Sequence, residues 1–438
     1  MRSGKNWRLL CASVALAIAT PVLASSGSSV AQENGPDGGP APEWVGSWAT
    51  ALTGAEPTGV SRTGFTNQSV RMIVRVSVGG EQVRIRLANV YGEGAVTIGS
   101  ASVAMPNLGT PAVHDIVPDT LRGLTFGGSA SATMLRGQEL LSDPVDLEVA
   151  DLQQLTVTVF FPVASGPASW HVTSRQSSFT GPGDLTMSPG TGYTAARTCC
   201  WFFLSGVDVL RRKSEGSVVV LSDSMGDGNN TTLNANRRWP DRLAERLVEA
   251  RRNGKVPGVL NASLAGNRLN HEGPEPGAGG FPGFAQLGTN AAARLHEDVF
   301  SQTGVHTVIF DLGINDIWMN GDQADAIIAS IRQAGAQVRE RGVRFVVATL
   351  GPYEGFAVTP GSPAGEWTPE KEATRNAVNE FLRTSTEFDG LIDFDALLRD
   401  PANPSRLRAD FDSGDHIHPN DAGNQAMADL VPLYLLRD

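Results

Sequence analysis

The feature that most constrains the fold is an alternation of apolar runs and helical patterns in the second half of the chain. Val218–Leu221 is a continuous apolar run, as expected of a strand buried on both faces. A helical pattern follows, with apolar residues at helical spacing from Trp239 to Val248. The alternation continues, with strands expected at Val259–Asn261, Thr307–Leu312, Arg344–Leu350 and Leu391–Phe394 and helices at Ala291–Phe300, Ala324–Arg341, Glu370–Thr386 and after Asn420. This βαβ order predicts a three-layer α/β/α domain, a doubly wound parallel sheet, over residues 215–438.

The first half of the chain has short runs in which apolar and polar residues alternate. Val83, Ile85 and Leu87 would face one side of a strand, and the two arginines between them would face the other. Similar runs occur at Val70–Val76, Val96–Val103 and Leu155–Phe161. The spacing predicts an all-β sandwich or jelly roll over residues 44–207. A chain of 438 residues also exceeds the usual size of one core, so two domains are expected.

The first residues have the composition of an export signal. Three basic residues lie within the first eight, an apolar stretch covers Leu9–Ala19, and small-residue cleavage sites follow. We therefore expect a signal peptide at residues 1–31, a disordered lead-in at residues 32–43 and a secreted mature protein. Removal of the signal lowers the formal net charge from −11 to −14, because the segment carries three basic residues and no acidic one. Such an acidic protein is not expected to bind nucleic acid, and no later stretch predicts stable membrane insertion.

Cleavage of the signal would leave two cysteines, Cys199 and Cys200. In an exported protein such a pair is expected to be oxidised or buried. Because a bond between adjacent cysteines is strained, the sequence leaves their redox state open. Neither cysteine is assigned a catalytic role.

Four polar segments lie just after predicted strands or before the last helix, where parallel sheets bind ligands. They are Ser222–Ser224, Asn261–Gly266, Gly313–Asp316 and Asp415–Pro419. The first contains Ser224, placed by a strand-to-loop turn where its hydroxyl is exposed. A serine hydroxyl is a weak nucleophile and requires an adjacent base. Taken singly, each segment is also typical of ordinary turns and caps, so the prediction depends on their occurring together.

His418 is the candidate base. Asp415 lies three residues before it and can accept a hydrogen bond from the imidazole. His416 lacks this spacing and is the weaker alternative. Surface or loop roles are expected for the other histidines, which are His114, His171, His271, His296 and His306.

Acyl transfer also requires donors for the negative charge that forms on the carbonyl oxygen. Asn315 offers a side-chain amide at the end of a predicted strand, and Gly266 offers a backbone N–H that a substrate can approach closely. Asp316 is expected to be a cap and not a catalytic acid.

The four segments resemble the signature blocks of the SGNH, or GDSL-type, esterase/lipase superfamily. The resemblance implies a serine ester hydrolase that works through an acyl-enzyme, without metal or organic cofactor. By the resemblance, Ser224 is the nucleophile and a backbone oxyanion donor, Gly266 and Asn315 complete the oxyanion hole, and Asp415 orients the base His418. The first block departs from the pattern, because Ser222 stands where the family has glycine. The N-terminal β-region resembles the accessory domain of some secreted relatives.

Three other hypotheses about the class of protein remain open. Residues 222–226 are one residue away from the Gly-x-Ser-x-Gly elbow of α/β-hydrolases, although the acid of that family lies further from its histidine. A metal hydrolase would use a ligand-rich stretch that consists of Asp410, Asp412, Asp415, His416 and His418. A catalytically silent glycan-binding protein is the third.

The substrate is expected to be an acetylated polysaccharide or another short-chain carboxylic ester, with lipid or phospholipid as the alternative. Loops at His271–Phe281 and Tyr353–Pro369 should flank the site. They and the adjoining segment carry candidate stacking aromatics, which are Phe281, Trp318, Tyr353, Phe356 and Trp367. The sequence makes no prediction of oligomeric state.

Overall fold

The computed structural model describes residues 41–109, 114–193, 195–197, 199–278, 281–358 and 366–437. The expected signal peptide at residues 1–31 and most of the lead-in at residues 32–43 lie outside these ranges. From Pro42 onward the chain forms one compact unit. Within the described ranges, no helix combines the length and apolar character needed to cross a bilayer.

The N-terminal β-region is built of antiparallel strands. They are β1 (Glu43–Ala49), β2 (Gln68–Arg75), β3 (Gly80–Ala88), β4 (Val96–Ile98), β5 (Ser100–Ala104), β6 (Arg122–Leu124), β7 (Ala132–Met134), β8 (Glu139–Leu141), β9 (Val145–Val149), β10 (Gln154–Phe161), β11 (Trp170–His171), β12 (Ser178–Pro182), β13 (Ala195–Arg197), β14 (Trp201–Phe202) and β15 (Leu204–Arg211). One sheet has the order β1-β15-β3-β8, with β9 also paired to β3, and a second has the order β13-β12-β2-β10-β5-β6. Two-stranded pairs β4-β7 and β11-β14 complete the region.

Alternate apolar side chains of the two large sheets meet in one core. Val83, Ile85 and Leu87 of β3 are fully buried, as are Val157 and Val159 of β10. The predicted β-sandwich is therefore confirmed, and the period of two in the sequence identified its inward-facing residues.

A five-stranded parallel sheet follows, with the order β17-β16-β18-β19-β20. Its strands are β16 (Ser214–Ser222), β17 (Val256–Asn261), β18 (Val305–Asp311), β19 (Arg344–Ala348) and β20 (Gly390–Ile392). The helices of the chain are α1 (Val60–Thr63), α2 (Ser224–Asp227), α3 (Trp239–Glu249), α4 (Ala324–Glu340), α5 (Pro369–Thr384), α6 (Phe394–Leu398) and α7 (Asp421–Leu430). Short 3₁₀ turns occupy Pro118–Thr120, Ala285–Leu287 and Leu433–Leu436, and π-helical turns occupy His296–Phe300 and Asp316–Asn320.

Strand β16 is covered on both faces. Val218 and Val220 join the core that includes α3 and α7, whereas Val219 and Leu221 join the core that includes α4 and α5. The predicted three-layer α/β/α arrangement is confirmed, and the parallel register brings the carboxyl ends of β16 and β18 side by side.

The prediction of a helix over Ala291–Phe300 is wrong for its first four residues. Residues 291–294 form turns, and the last six residues are helical, with a π-helical turn at His296–Phe300. Polar side chains determine this course. Asn290 Oδ1 accepts the Ala293 N–H at 3.0 Å, and buried Arg294 donates to the backbone oxygen of Ala262 and to Asp298.

The β-region packs directly on the parallel sheet. The Gly46 N–H in β1 donates to the Thr303 oxygen at 3.0 Å, and Ser77 Oγ accepts the N–H of Val259 in β17 at 2.9 Å. The sandwich core is also continuous with the α3 face of the sheet. The boundaries proposed at residues 207 and 215 remain a prediction, since the two regions share this core.

Cys199 and Cys200 form a vicinal disulfide beside the sandwich core. The Cys200 N–H donates to Ser174 Oγ at 2.8 Å, and its carbonyl oxygen accepts from Ser178 Oγ at 2.6 Å. These two backbone bonds hold Cys200 in place immediately before the short strand β14.

Candidate active site

The turn after β16 presents Ser224 at the carboxyl edge of the parallel sheet. Asp223 caps α2 by accepting the Met225 N–H at 3.0 Å, so that Ser224 is the first helical residue. A backbone N–H at this position has no intrahelical partner and remains free for a ligand. Ser224 is only 6% exposed, but it lines an open cavity of about 560 Å³.

Ser224, His418 and Asp415 form a hydrogen-bonded series. His418 Nε2 lies 2.9 Å from Ser224 Oγ, and His418 Nδ1 lies 2.6 Å from Asp415 Oδ2. Because the carboxylate only accepts, Nδ1 carries the hydrogen and Nε2 is left to accept from the serine hydroxyl. This is the geometry of a nucleophile, a general base and an orienting acid.

Asp415 is held ionised by its surroundings. Burial acts to raise its pKa, but the hydrogen bond and the charge of His418 outweigh burial and hold the pKa well below the usual range. The N–H groups of Ile417 and His418 and the side-chain amide of Asn230 also donate to this carboxylate. Asn230 had no distinguishing signal in the sequence, since Gly- and Asn-rich loops are common.

Gly266 lies across the cavity from the loop that carries His418. Its φ of +74° is in the left-handed region, and an added Cβ would lie 2.5 Å from Leu287 Cδ2, so glycine is required here. The Gly266 N–H has no hydrogen-bond acceptor among the described residues. It is thus available to a substrate oxygen.

Asn315 also lines the cavity, but both hydrogens of its amide are engaged. Asn315 Nδ2 donates to Asp223 Oδ2 and to the Asn267 oxygen, each at 2.9 Å, and its Oδ1 accepts the indole N–H of Trp318 at 2.8 Å. These contacts fix the orientation of the amide. Donation to an oxyanion requires that one of the two N–H bonds be shared or given up.

Two buried carboxyls support the loops around the site. Burial, followed by the charge of Asp311, raises the pKa of Asp223 well above its usual range. Burial likewise raises the pKa of Asp316 to about 6. Asp316 does not act as a helix cap, because it accepts the N–H groups of Leu269 and Asn270 and so anchors the loop after β17.

Ser222 directs its side chain away from the cavity, and it is not one of the lining residues. Its hydroxyl donates to Asp311 Oδ2 at 3.0 Å and accepts the Gly226 N–H at 3.1 Å. The serine that replaces the family glycine is therefore fully hydrogen-bonded below the nucleophile.

Aromatic and apolar side chains form much of the cavity wall. Phe281 and Phe356 pack edge-on against Trp318, each with ring centroids 5.2 Å apart. Two of the predicted platforms are wrong, because Tyr353 is fully buried and Trp367 does not line the cavity. Residues 279–280 and 359–365 of the flanking loops lie outside the described ranges.

The β-region supplies one side of the cavity through Val172 and Thr173, which follow strand β11. The preceding residue, His171, is 1% exposed and lies 2.9 Å from Asp227, so the expectation of a surface or loop role for it is wrong. No sequence signal connects these two residues, because 56 positions separate them.

The alternative histidine and the ligand-rich stretch are arranged as separate pairs. His416 is exposed and bonds Asp412 at 2.6 Å, outside the cavity lining. Among the described residues, the side chains grouped closely enough to hold a metal ion are His271, Asp316 and Asp322. Each of these side chains already has hydrogen-bond partners in the protein. His271 Nε2 lies 2.9 Å from Asp322, and Asp316 accepts backbone N–H groups.

Residues 223–426 match the model of the GDSL-like lipase/acylhydrolase family. This matched region contains all five predicted site residues. Over these residues the chain is similar to GDSL-like acylhydrolases, and the protein is a carboxylic ester hydrolase. Comparison with curated proteins found no match.

Several solved structures are similar to the chain at low identity. A family two carbohydrate esterase from Clostridium thermocellum is 13% identical, with coverage of 91% of this chain and 94% of that one and a TM-score of 0.35. A family two carbohydrate esterase from Cellvibrio japonicus is 11% identical, with coverage of 90% and 97% and a TM-score of 0.33. A psychrotrophic esterase from Pseudoalteromonas sp. is 15% identical, with coverage of 49% and 93% and a TM-score of 0.32. These likenesses are weak, so the roles of the site residues rest on the contacts in this chain.

Proposed function

We propose that this protein is a secreted serine esterase that removes short acyl groups, acetyl above all, from polysaccharides or related alcohols. The main observation in support of the proposal is the hydrogen-bonded series Ser224–His418–Asp415. The three residues line the same cavity as Gly266, whose backbone N–H has no acceptor among the described residues. Secretion rests on the N-terminal composition, with its basic start and apolar stretch.

In the first step, Ser224 Oγ attacks the carbonyl carbon of the ester while its proton passes to His418 Nε2. The tetrahedral intermediate collapses, the bond to the alcohol oxygen breaks, and His418 returns the proton to that oxygen. Asp415 stabilises the imidazolium that forms in between. Water then attacks the acyl-enzyme with His418 again as base, which releases the carboxylic acid and regenerates Ser224.

The negative charge of each tetrahedral intermediate falls on the former carbonyl oxygen. The backbone N–H groups of Ser224 and Gly266 can donate to this oxygen, and neither is bonded to another acceptor among the described residues. Asn315 is the third, once one of its present bonds is shared with the oxyanion. Preorganised donors of this kind lower the barrier because they need no reorientation as charge develops.

A hydroxylated alcohol suits the wall of the cavity. Asn229 is one of the polar residues of this wall, and its side-chain amide can form hydrogen bonds with a substrate hydroxyl. Phe281, Trp318 and Phe356 offer ring faces and edges for a sugar. The same apolar surface would also contact an acyl chain, which keeps lipid esters as the alternative substrate.

Replacement of the nucleophile tests the reaction. Ser224→Ala is expected to lower kcat for p-nitrophenyl acetate by about 10³-fold or more, because it removes the hydroxyl that is bonded to His418. A fluorophosphonate probe should label the native protein and the control Ser129→Ala, an exposed serine of the β-region, but not Ser224→Ala. Equal labelling of Ser224→Ala would show that Ser224 is not the reactive nucleophile. A native protein that is neither labelled nor active would favour the silent binding protein.

A substrate panel tests the alcohol and acyl group. Release of acetate from acetylated xylan and hydrolysis of short p-nitrophenyl esters should exceed hydrolysis of phospholipid vesicles. Faster release of long-chain fatty acid from the vesicles would instead assign the protein to the lipases.

A further inference from the structure

We infer that the β-region positions the oxyanion-hole loop of the α/β-region through a buried His171–Asp227 pair. The inference rests on the proposed function, since it assigns a positioning role within that active site. Asp227 is the last residue of α2, three positions after Ser224, and both side chains of the pair are 1% exposed.

Asp227 bonds the oxyanion loop directly. Its Oδ2 accepts the Ala265 N–H at 2.9 Å, and Ala265 immediately precedes Gly266. The same turn is closed by the Asn267 N–H, which donates to the Leu264 oxygen at 3.0 Å, and the Leu264 N–H donates to the Ser222 oxygen. The N–H groups of both neighbours are therefore engaged, whereas the Gly266 N–H has no acceptor among the described residues.

The other oxygen of Asp227 is held by the β-region. His171 Nε2 lies 2.9 Å from Asp227 Oδ1, and His171 Nδ1 lies 2.9 Å from the backbone oxygen of Ala51. Because the Ala51 oxygen only accepts, Nδ1 donates to it, and Nε2 is left to pair with the Asp227 carboxyl group. The ring also stacks on Trp201, with centroids 5.3 Å apart.

These contacts make one continuous path. Ala51 and Trp201 fix the His171 ring, the ring fixes the Asp227 carboxylate, and the carboxylate fixes the peptide next to the oxyanion donor. His171 is buried and is not among the residues that line the cavity. Its effect on the reaction is transmitted through Asp227 and the turn Leu264–Asn267.

The test uses two variants: one removes the Asp227 carboxylate, and the other replaces it with an amide that can form the same hydrogen bonds. Asp227→Ala is expected to lower kcat for p-nitrophenyl acetate by about 10- to 100-fold, a fraction of the loss of a whole oxyanion donor. KM should change by less than about threefold, because the ground-state ester carries no oxyanion. Affinity for phenylboronic acid, which forms a tetrahedral adduct with a serine, should fall by the same factor as kcat/KM.

Asp227→Asn is the conservative variant. Its carbonyl oxygen can accept the Ala265 N–H while its amide donates to a neutral His171, so kcat should stay within about threefold of native. Asp208→Ala, which removes a buried carboxylate paired with Arg84 and Arg86 elsewhere in the β-region, is the matched control and should lower Tm without changing kcat.

If Asp227→Ala does not fold, the variant His171→Phe tests the same inference. It keeps a ring beside Trp201 but removes the second anchor of Asp227, and it should reduce kcat and boronate affinity together. Native kcat in a folded Asp227→Ala or His171→Phe protein, or an Asp227→Asn protein as impaired as Asp227→Ala, would overturn the inference. Undiminished activity of Ser224→Ala would instead overturn the proposed function, so the two failures are distinct.

Discussion

Ser222 shows how one departure from a family pattern is accommodated. Its hydroxyl joins Asp311 to the Gly226 N–H, so a buried acceptor and a buried donor are both satisfied. A buried polar group that loses its partner costs about 1–3 kcal/mol. The serine is thus part of the local packing, and it leaves the nucleophile's own contacts unchanged.

Restoring glycine at this position should therefore destabilise the protein. Ser222→Gly is expected to lower the free energy of unfolding by about 1–3 kcal/mol while kcat stays within about threefold of native. Ser222→Ala, which keeps the Cβ, separates loss of the hydroxyl from the added backbone freedom of glycine. Chemical denaturation of the three proteins measures the difference, and equal stability of Ser222→Ala and native protein would contradict the role given to the hydroxyl.

Asp311 should make stability depend on pH. Burial raises its pKa to about 7, partly offset by the hydrogen bond from Ser222. The folded state therefore holds this proton more tightly than the unfolded state. The stabilising contribution is complete below the unfolded pKa of 3.8 and is lost as the pH rises through about 7.

In Asp311→Asn this contribution is absent. Between pH 4 and 7, the native protein should lose stability relative to the variant by up to about 1.4 kcal/mol per pH unit. Urea unfolding of both proteins across this range measures the slope. Parallel curves would show that Asp311 does not titrate in this window.

The turn Leu264–Asn267 shows how an element sets the direction of one donor. Gly266→Ala should lower kcat by about tenfold or more, because the strained φ and the contact with Leu287 would rotate the peptide that carries the N–H. Gly137→Ala is a matched control, since Gly137 has φ of +80° and nothing within 4 Å of an added Cβ. Both variants should lose about 1–2 kcal/mol of stability. Comparable kcat values in the two would argue against Gly266 as a donor.

Strands and helices were predicted correctly from the sequence where their apolar side chains pack on the sheet. Val218–Leu221 and the helical pattern of α4 lie where their apolar periods placed them. The helix predicted over Ala291–Phe300 is wrong at residues 291–294, because the backbone there follows the polar bonds of Asn290 and Arg294, which leave no periodic pattern in the sequence. Among the site residues, Asp415 and His418 were visible because they are three residues apart, whereas His171 and Asp227 meet only through the packing of two regions.

At the scale of the whole molecule, the catalytic residues and part of the cavity wall come from different regions of the chain. The α/β-region holds Ser224, Asp415 and His418, whereas Val172 and Thr173 of the β-region complete the wall. Substitutions in the segment after β11 would therefore alter which alcohol fits without touching a reacting atom. The architecture lets specificity diverge at one end of the chain while the reaction itself stays fixed at the other.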